Sequence, residues 1–437
     1  MSKETLLARI ESREARIGVV GVGYVGLPLV VEFGKEGYRV TGFDVSAEKV
    51  ALLNEGQSYI LDVPTEDLQA LLNKGLLDAT TDFSALSEMD AIIICVPTPL
   101  RKTRDPDMSF VIAAADQVAL HSTADTVVVL ESTTYPGTTD ELIVPRLLKN
   151  GFKVGEDVFV CFSPERVDPG NQRYGIRNTP KVIGGATPDC LEIGTALYSK
   201  AIDTVVPVSS TTAAEMVKLL ENTFRAVNIG LVNEMAIMCD KLGLNVWEVI
   251  SAASSKPFGF MTFYPGPGLG GHCIPIDPLY LSWKLKALNY TARFIDLASE
   301  INSNMPVYVV TRVMEAMNDL IRKPINGSRI LVIGAAYKPD IDDLRESPAL
   351  DVIRLLQERG AEVSYHDPYV DTLRHEGIQL DSVPLTNEAL SAADSVVIVT
   401  HHTATDWQLV ADCSDLVVDC RNALKHIEEP KAKIVLL

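Results

Sequence analysis

The sequence predicts an α/β protein of two doubly wound domains joined by a long central helix. Three observations carry that expectation. Continuous apolar runs at 91–96 and 126–130 have the unbroken hydrophobicity of parallel strands buried on both faces. From Val208 to Gly243 nothing breaks a helix except Gly230. Past residue 328, short β-rich runs alternate with a helical pattern once more, so the first architecture recurs. Boundaries are expected near 205 and 320, dividing the chain into 1–205, 206–320 and 321–437.

Composition narrows the class. A hydrophobic content of 47% with 22% charged residues suits a soluble globular protein with substantial cores. A formal charge of −19 argues against a general nucleic-acid binder, because phosphate contacts need basic surface. It leaves room for a small anionic ligand in a local basic pocket. The opening segment MSKETLLARIESREAR is charged and amphipathic, without an apolar signal core. No run reaches the roughly eighteen apolar residues of a membrane span, so no membrane association is expected. The seven cysteines form no CxxC pair and no metal-like cluster, which predicts no metal site and reduced thiols in a cytoplasmic compartment.

The first strand, Ala15 to Val20, leads directly into Gly21-Val22-Gly23-Tyr24-Val25-Gly26. Helical spacing continues from Leu27 to Lys35, and Tyr38 to Phe43 is a second strand ending at Asp44. Strand, GxGxxG, helix, strand and acid, all within about thirty residues, is the dinucleotide fingerprint in its full context. Gly21 makes the tight turn, Gly23 lets a pyrophosphate approach the backbone, and Gly26 allows close helix–strand packing. Asp44 would bind the adenosine ribose and repel a 2′-phosphate, which favours NAD over NADP. The domain is therefore expected to be Rossmann-like.

Ligands of open α/β sheets bind beyond the carboxyl ends of the strands. Thr98 follows the run at 91–96 and Thr133 the run at 126–130, so both are candidate cofactor contacts; the alternative is that each caps a helix. Another strand, Asp157 to Phe162, ends in Ser163-Pro-Glu165-Arg166. There a carboxylate could act as general acid or base and an arginine could bind an anion, unless the two form a surface ion pair.

The central helix would be roughly 50 Å long at about 1.5 Å per residue. Lys218 and Asn222 lie four apart on one face, with Glu215 and Arg225 extending the stripe. Such a stripe is either a solvated side or the floor of a site. After a short helix at 246–253 comes a loop in which four glycines and two prolines occupy the nine residues before Cys273, with Asp277 just beyond. No regular element tolerates that density, so the loop is shaped to a purpose. Gly270 and Gly271 would let backbone approach a ligand, and a thiol there could attack a carbonyl carbon. The alternative is a glycine-rich turn around an inert cysteine. Helical segments are expected at 278–288 and 292–317.

The last third reads as strand 328–334, helix 348–360, strand 361–365 with Asp367 beyond it, and strands at 395–400 and 416–419. Gly334-Ala-Ala-Tyr-Lys-Pro-Asp stands where the glycine fingerprint would be. Lys338 and Arg345 lie at the strand edge, positioned to hold phosphate or ribose oxygens or else simply solvated.

Together these motifs resemble the UDP-glucose/GDP-mannose dehydrogenase family over essentially the whole chain. The matching stretches are GVGYVG (21–26), CVPTP (95–99), ESTTYPGT (131–138), SPERVDPG (163–170), the Lys218/Asn222 helix, GPGLGGHCIPIDP (266–278) and YKPDIDDLRESPA (337–349). The resemblance implies a four-electron oxidation of a sugar C6 alcohol to a carboxylate, consuming two NAD+ and one water. It implies Cys273 as the nucleophile, passing through a thiohemiacetal and a thioester. Glu165 becomes the general base or acid, Lys218 and Asn222 stabilise the oxyanion and position water, and Asp277 orients Lys218 or assists proton transfer. Tyr264, Gly270, Arg166 and Lys338, with Glu165, Lys218 and Asn222, become substrate contacts. Arg345 becomes a cofactor contact, and the long helix a homodimer interface.

Family members acting on UDP-glucose carry an arginine about sixteen residues before the cysteine, where this sequence has Pro257. The departure leaves room for a bulkier substituent at sugar C2, and UDP-N-acetylglucosamine is the expected substrate. UDP-glucose and UDP-N-acetylmannosamine are the alternatives. A non-catalytic NAD-binding sensor would have no use for Cys273, Lys218, Asn222, Glu165 and Asp277 together, and a two-electron hydroxyacid dehydrogenase would have none for Cys273.

Overall fold

The structure, a computed structural model, describes residues 3–60, 62–101, 105–167, 171, 173–375 and 377–437. The chain divides into two compact units. One runs to Glu221 and takes in Trp283–Asn289; the other comprises Asn222–Ser282 and Tyr290–Leu437. The passage from one to the other falls inside the central helix.

In chain order the first unit holds α1 (Lys3–Glu11), β1 (Arg16–Val20), α2 (Gly26–Lys35), β2 (Arg39–Phe43), α3 (Ala47–Asn54), α4 (Thr65–Asn73), β3 (Leu77–Thr80) and β4 (Ala91–Ile94). It continues with α5 (Ser109–His121), β5 (Thr126–Leu130), α6 (Val144–Lys149), β6 (Val158–Phe162), β7 (Lys181–Gly185), α7 (Pro188–Tyr198), β8 (Val205–Val208) and the start of α8 (Thr211–Leu242). The eight strands lie in the order β3-β2-β1-β4-β5-β6-β7-β8. All neighbours are parallel except β6 and β7. The first six strands thus have the doubly wound order, with its switch point between β1 and β4. Every residue of β4, β5 and β6 is buried, as their apolar runs require.

The charged opening segment folds as α1. Leu6 and Ile10 enter the core beside Phe33 and Tyr38, and the Tyr38 hydroxyl donates to Ile10 O at 2.7 Å. Lys3 pairs with Asp189 and Glu192 at 2.5 and 2.6 Å, which ties α1 to α7.

The second unit adds the rest of α8, α9 (Val246–Ser254), the first part of α10 (Asp277–Lys286), α11 (Arg293–Ala316), β9 (Arg329–Ile333), α12 (Pro348–Glu358), β10 (Glu362–His366), β11 (Thr372–His375) and β12 (Ile378–Asp381). After these come α13 (Asn387–Ala392), β13 (Ser395–Ile398), α14 (Trp407–Cys413), β14 (Leu416–Asp419) and β15 (Lys433–Leu436). Its parallel sheet has the order β10-β9-β13-β14-β15, with β11 and β12 a separate hairpin. Both domains are Rossmann-like, and α8, at 32 residues, is the long central helix. Gly230 does not break it. A methyl group there would come within 3.2 Å of Ala298, so the glycine lets α11 pack tightly against α8 at this point. The core is built by Val309 and Val313 of α11 and Ile353 and Leu356 of α12 against Ile330 and Val332 of β9.

The two domains share a device. Asp44 follows β2 and accepts from the N–H of Val22 at 3.2 Å; Asp367 follows β10 and accepts from Ala335 and Ala336 at 2.6 and 3.0 Å. The second copy is closed, since His402 and Asp367 are fully buried and paired at 2.9 Å. No ribose can reach that carboxylate, so the C-terminal domain does not read a ligand the way the fingerprint does.

Candidate active site and cofactor site

The glycines of the fingerprint meet three different demands. Gly21 has a φ of +90°, and a Cβ there would lie 2.8 Å from Cys95 O. A Cβ on Gly26 would lie 1.9 Å from Gly21 O, so the helix can start against the turn only without a side chain. At Gly23 a Cβ would meet nothing within 4 Å, so this part of the turn is open. Val25 is the N-cap of α2 and its side chain makes no capping bond, which suits a helix end that receives a phosphate. Tyr24 is half exposed beside it. Asp44 also accepts from Ser46 N at 2.9 Å, so its carboxylate is held at the end of β2. An open glycine turn, a helix N-terminus without a side-chain cap and a fixed acid fit NAD. Thr98 is buried and Thr133 half-buried, each just past a strand end. Neither is a helix N-cap: α5 is capped by Met108 and the π-turn at Thr139–Ile143 by Thr138.

Beyond β6 the chain brings charges together. Glu165 Oε1 accepts from the N–H groups of Arg166 and Val167 at 2.8 and 2.6 Å. Glu165 Oε2 lies 3.3 Å from Lys181 Nζ, and Lys218 Nζ donates to the Glu165 carbonyl at 2.5 Å. Burial alone would push the Glu165 carboxyl up. The Lys181 charge, the Val167 N–H and the Lys218 charge outweigh it and hold the group below the usual carboxylate range. Glu165 is therefore anionic, a proton acceptor. Arg166, expected to bind an anion, gives its guanidinium to Glu221 at 2.6 and 3.3 Å and to Pro180 O at 2.5 Å. Asp168, Pro169 and Gly170 of the same motif lie outside the described residues. Glu215, one turn before Lys218, is fully buried and accepts from Gly137 N, Thr139 N and Thr139 Oγ1 at 2.5, 2.8 and 2.7 Å. It fastens the loop after β5 and is not a solvated residue; Arg225, at the other end of the stripe, is exposed.

In the second unit Cys273 is exposed, in the turn that opens α10. Its carbonyl accepts from Asp277 N at 2.8 Å, and Asp277 Oδ2 accepts from Asn222 Nδ2 at 2.5 Å, both of these side chains buried. The loop before Cys273 is anchored from below. Gly266 N donates to Asn233 Oδ1 at 2.9 Å, Asn233 Nδ2 to Asn302 Oδ1 at 2.8 Å, and Asn302 Nδ2 to Ala226 O at 3.1 Å. Gly271, with φ +83°, donates to Arg345 O at 2.9 Å. A Cβ on Gly270 would lie 2.4 Å from Tyr337 Cβ, and one on Gly271 2.8 Å from the Tyr337 ring. What the two glycines admit at this distance is the protein's own 337–346 segment. Lys338 in that segment is half-buried, and Arg345 pairs with Asp343 at 2.6 Å. Tyr264 is exposed on one face and stacks on Trp247.

Three charged side chains were not foreseen. Lys181 and Glu131 complete the Glu165 cluster. Arg421, just past β14, donates to Val399 O at 2.8 Å and lies so close under Gly266 that a Cβ there would be 2.4 Å from Nη1. Its place beyond the carboxyl end of a parallel strand was the available signal. Among the described residues no group of His, Cys, Asp and Glu could hold a metal ion, and no helix is long and apolar enough to cross a membrane.

A doubly wound sheet with an open glycine turn at the start of a helix and an acid fixed at the end of the next strand defines a dinucleotide-binding protein. Profiles of the UDP-glucose/GDP-mannose dehydrogenase family match 15–202 (NAD binding domain), 212–304 (central domain) and 331–426 (UDP binding domain). A UDP-N-acetyl-D-glucosamine 6-dehydrogenase of Pseudomonas aeruginosa is 35% identical over 396 residues, covering 90% of this chain and 91% of that one. A UDP-N-acetyl-D-mannosamine dehydrogenase of Pyrococcus horikoshii is 35% identical over 419 residues, 94% and 96% of the two chains. The solved UDP-D-ManNAc dehydrogenase from Pyrococcus horikoshii superposes with a TM-score of 0.86 at 34% identity, over 96% of this chain and 98% of that one. The chain belongs to the UDP-glucose/GDP-mannose dehydrogenase family, and it is an NAD-dependent UDP-sugar dehydrogenase.

Proposed function

We propose that the protein oxidises the C6 alcohol of UDP-N-acetylglucosamine to the uronate, for synthesis of surface polysaccharide precursors. The observation that carries the reading is the exposed Cys273 in a loop braced by Asn233 and Gly271, with the Asp277–Asn222 pair directly after it. NAD+ supplies the hydride acceptor for both oxidations. Cys273 adds to the C6 aldehyde as a thiohemiacetal, and after the second oxidation it carries the acyl group as a thioester. Water then bonds to the acyl carbon, Glu165 takes its proton, and the C–S bond breaks to return the cysteine. Lys218 and Asn222 stabilise the oxyanion, and Asp277 orients Asn222. Gly21, Val22, Gly23, Tyr24, Val25, Gly26, Asp44, Thr98, Thr133 and Arg345 hold NAD. Arg166, Tyr264, Gly270 and Lys338 hold the UDP-sugar together with Glu165, Lys218 and Asn222. The same reading takes the protein to be a cytoplasmic homodimer.

UDP-N-acetylmannosamine is a second reading, because relatives named for it are as similar as those named for the glucosamine sugar. The test is the NADH formed per limiting UDP-sugar. Two per UDP-N-acetylglucosamine, abolished in Cys273→Ala, supports the proposal. Two from the mannosamine sugar alone keeps the mechanism and replaces the substrate. One NADH per sugar overturns the thioester.

A further inference from the structure

Lys181 opens β7, its side chain is 5% exposed, and the mechanism above gives it no task. Its ammonium lies 2.8 Å from Glu131 Oε2 and 3.3 Å from Glu165 Oε2, within 5.4 Å of the Tyr198 ring centre. The Tyr198 hydroxyl donates to the other oxygen of Glu131. Two carboxylates are thus joined by one buried cation. We propose that Lys181 is a positioning residue that locks the Glu165 carboxylate in its rotamer and charge state, with Glu131 as the second anchor that holds the lysine itself.

The geometry leaves Glu165 little freedom. Two backbone N–H groups take Oε1 and the lysine takes Oε2, so the carboxylate plane is fixed from both ends. A buried lysine without partners would shed its proton. Here burial works against the charge, but Glu131 and Glu165 more than restore it, and the Lys181 proton is held more tightly than in an ordinary lysine. The two carboxylates are then driven apart. Burial pushes Glu131 up, while Glu165, with Lys218 as a second cation nearby, stays low. The groups facing this cluster are Cys95 after β4, Glu131 after β5, Lys181 on β7, Tyr198 on α7 and Lys218 on α8, with the Arg166–Glu221 pair beside it. Without Lys181, the buried Glu131 carboxylate and the largely enclosed Glu165 carboxylate would face each other, and a proton would enter the pair at a pH where Glu165 has to be a base.

The inference rests on Glu165 accepting the proton of the attacking water, and the test separates the two claims. Wild type, Lys181→Met, Lys181→Gln, Lys181→Arg and Glu165→Gln are followed with UDP-N-acetylglucosamine and NAD+ by rapid mixing, across pH 5 to 9. Lys181→Met should release two NADH per site in a burst and then turn over more slowly than wild type, with the deficit growing toward pH 5 and recovering at high pH. Its acid limb should move up by about one unit or more, given that a neighbouring opposite charge shifts a carboxyl by roughly 1–3 units. Lys181→Arg should restore the wild-type limb. An acid limb in Lys181→Met that coincides with wild type, with only a lower melting temperature, overturns the proposal. If Lys181→Met does not fold, Lys181→Gln, uncharged but polar, is read in its place, with the same upward shift expected and the same coincidence overturning it. If Glu165→Gln hydrolyses the thioester as fast as wild type, the reading of Glu165 fails and the role of Lys181 falls with it. A slow Glu165→Gln beside an unshifted Lys181→Met removes the lysine's role only.

Discussion

At Asp44 one carboxylate fixes a turn, and in the proposed reading it also sets cofactor choice. It accepts from Val22 N and Ser46 N, so replacing it with a large residue would loosen the loop it is meant to test. Asp44→Asn keeps an acceptor and removes the charge. The expected outcome is a rise in NADP+ efficiency relative to NAD+ on the order of tenfold, equivalent to about 1.4 kcal/mol of lost repulsion. Steady-state kinetics with both cofactors measure it, and an unchanged ratio would show that something other than Asp44 excludes the 2′-phosphate. This residue was legible because its spacing from the glycines is local in sequence. Lys181 was not. It reads as the first residue of a short strand, and only the placing of β7 antiparallel to β6 and the fold of the loop after β6 bring it to Glu131 and Glu165.

Elements differ in the same way. The strands with unbroken apolar runs were found within a residue or two of their ends. Leu77–Thr80, Val205–Val208 and the hairpin of β11 and β12 were not, because their burial is mixed and four residues are too few for an alternation to stand out. The cysteine loop was legible as irregular from its glycines and prolines, but not how it is held. Asn233 and Asn302 lie within two different helices, buried and bonded to each other, and Asn233 also accepts from Gly266 N. Asn233→Ala would leave the Gly266 N–H buried without its acceptor. A loss of about 1–3 kcal/mol in stability is expected by denaturant titration. The turnover number should fall while the KM for NAD+ stays put, since the dinucleotide turn belongs to the other unit. A parallel loss of NAD+ affinity would count against a local role.

At the scale of the whole molecule, exposed apolar surface bears on assembly. Helix α8 exposes Leu220, Phe224, Leu231 and Met238 along its length, and the second unit adds Phe258, Met261 and Phe294. In the homodimer proposed above this apolar surface would form the interface, and light scattering should then return close to twice the 47.6 kDa chain mass. Leu231→Glu should shift that mass towards the monomer; a monomeric wild type, or an unmoved dimer in the variant, would move the interface elsewhere. The sequence by itself determined the α/β class, the dinucleotide turn, the preference for NAD, the long helix and the reactive-looking cysteine. Each of these is written in local order, as period, glycine spacing or loop composition, where neighbours in the chain are neighbours in space. Tertiary structure alone decided that Glu165 stays ionised, that Glu215 is an internal clamp, that Arg166 is tied to Glu221, and that the second acidic strand end, Asp367, is sealed by His402. Those outcomes depend on burial and on charges dozens of residues apart, and no pattern within a single stretch of chain encodes either.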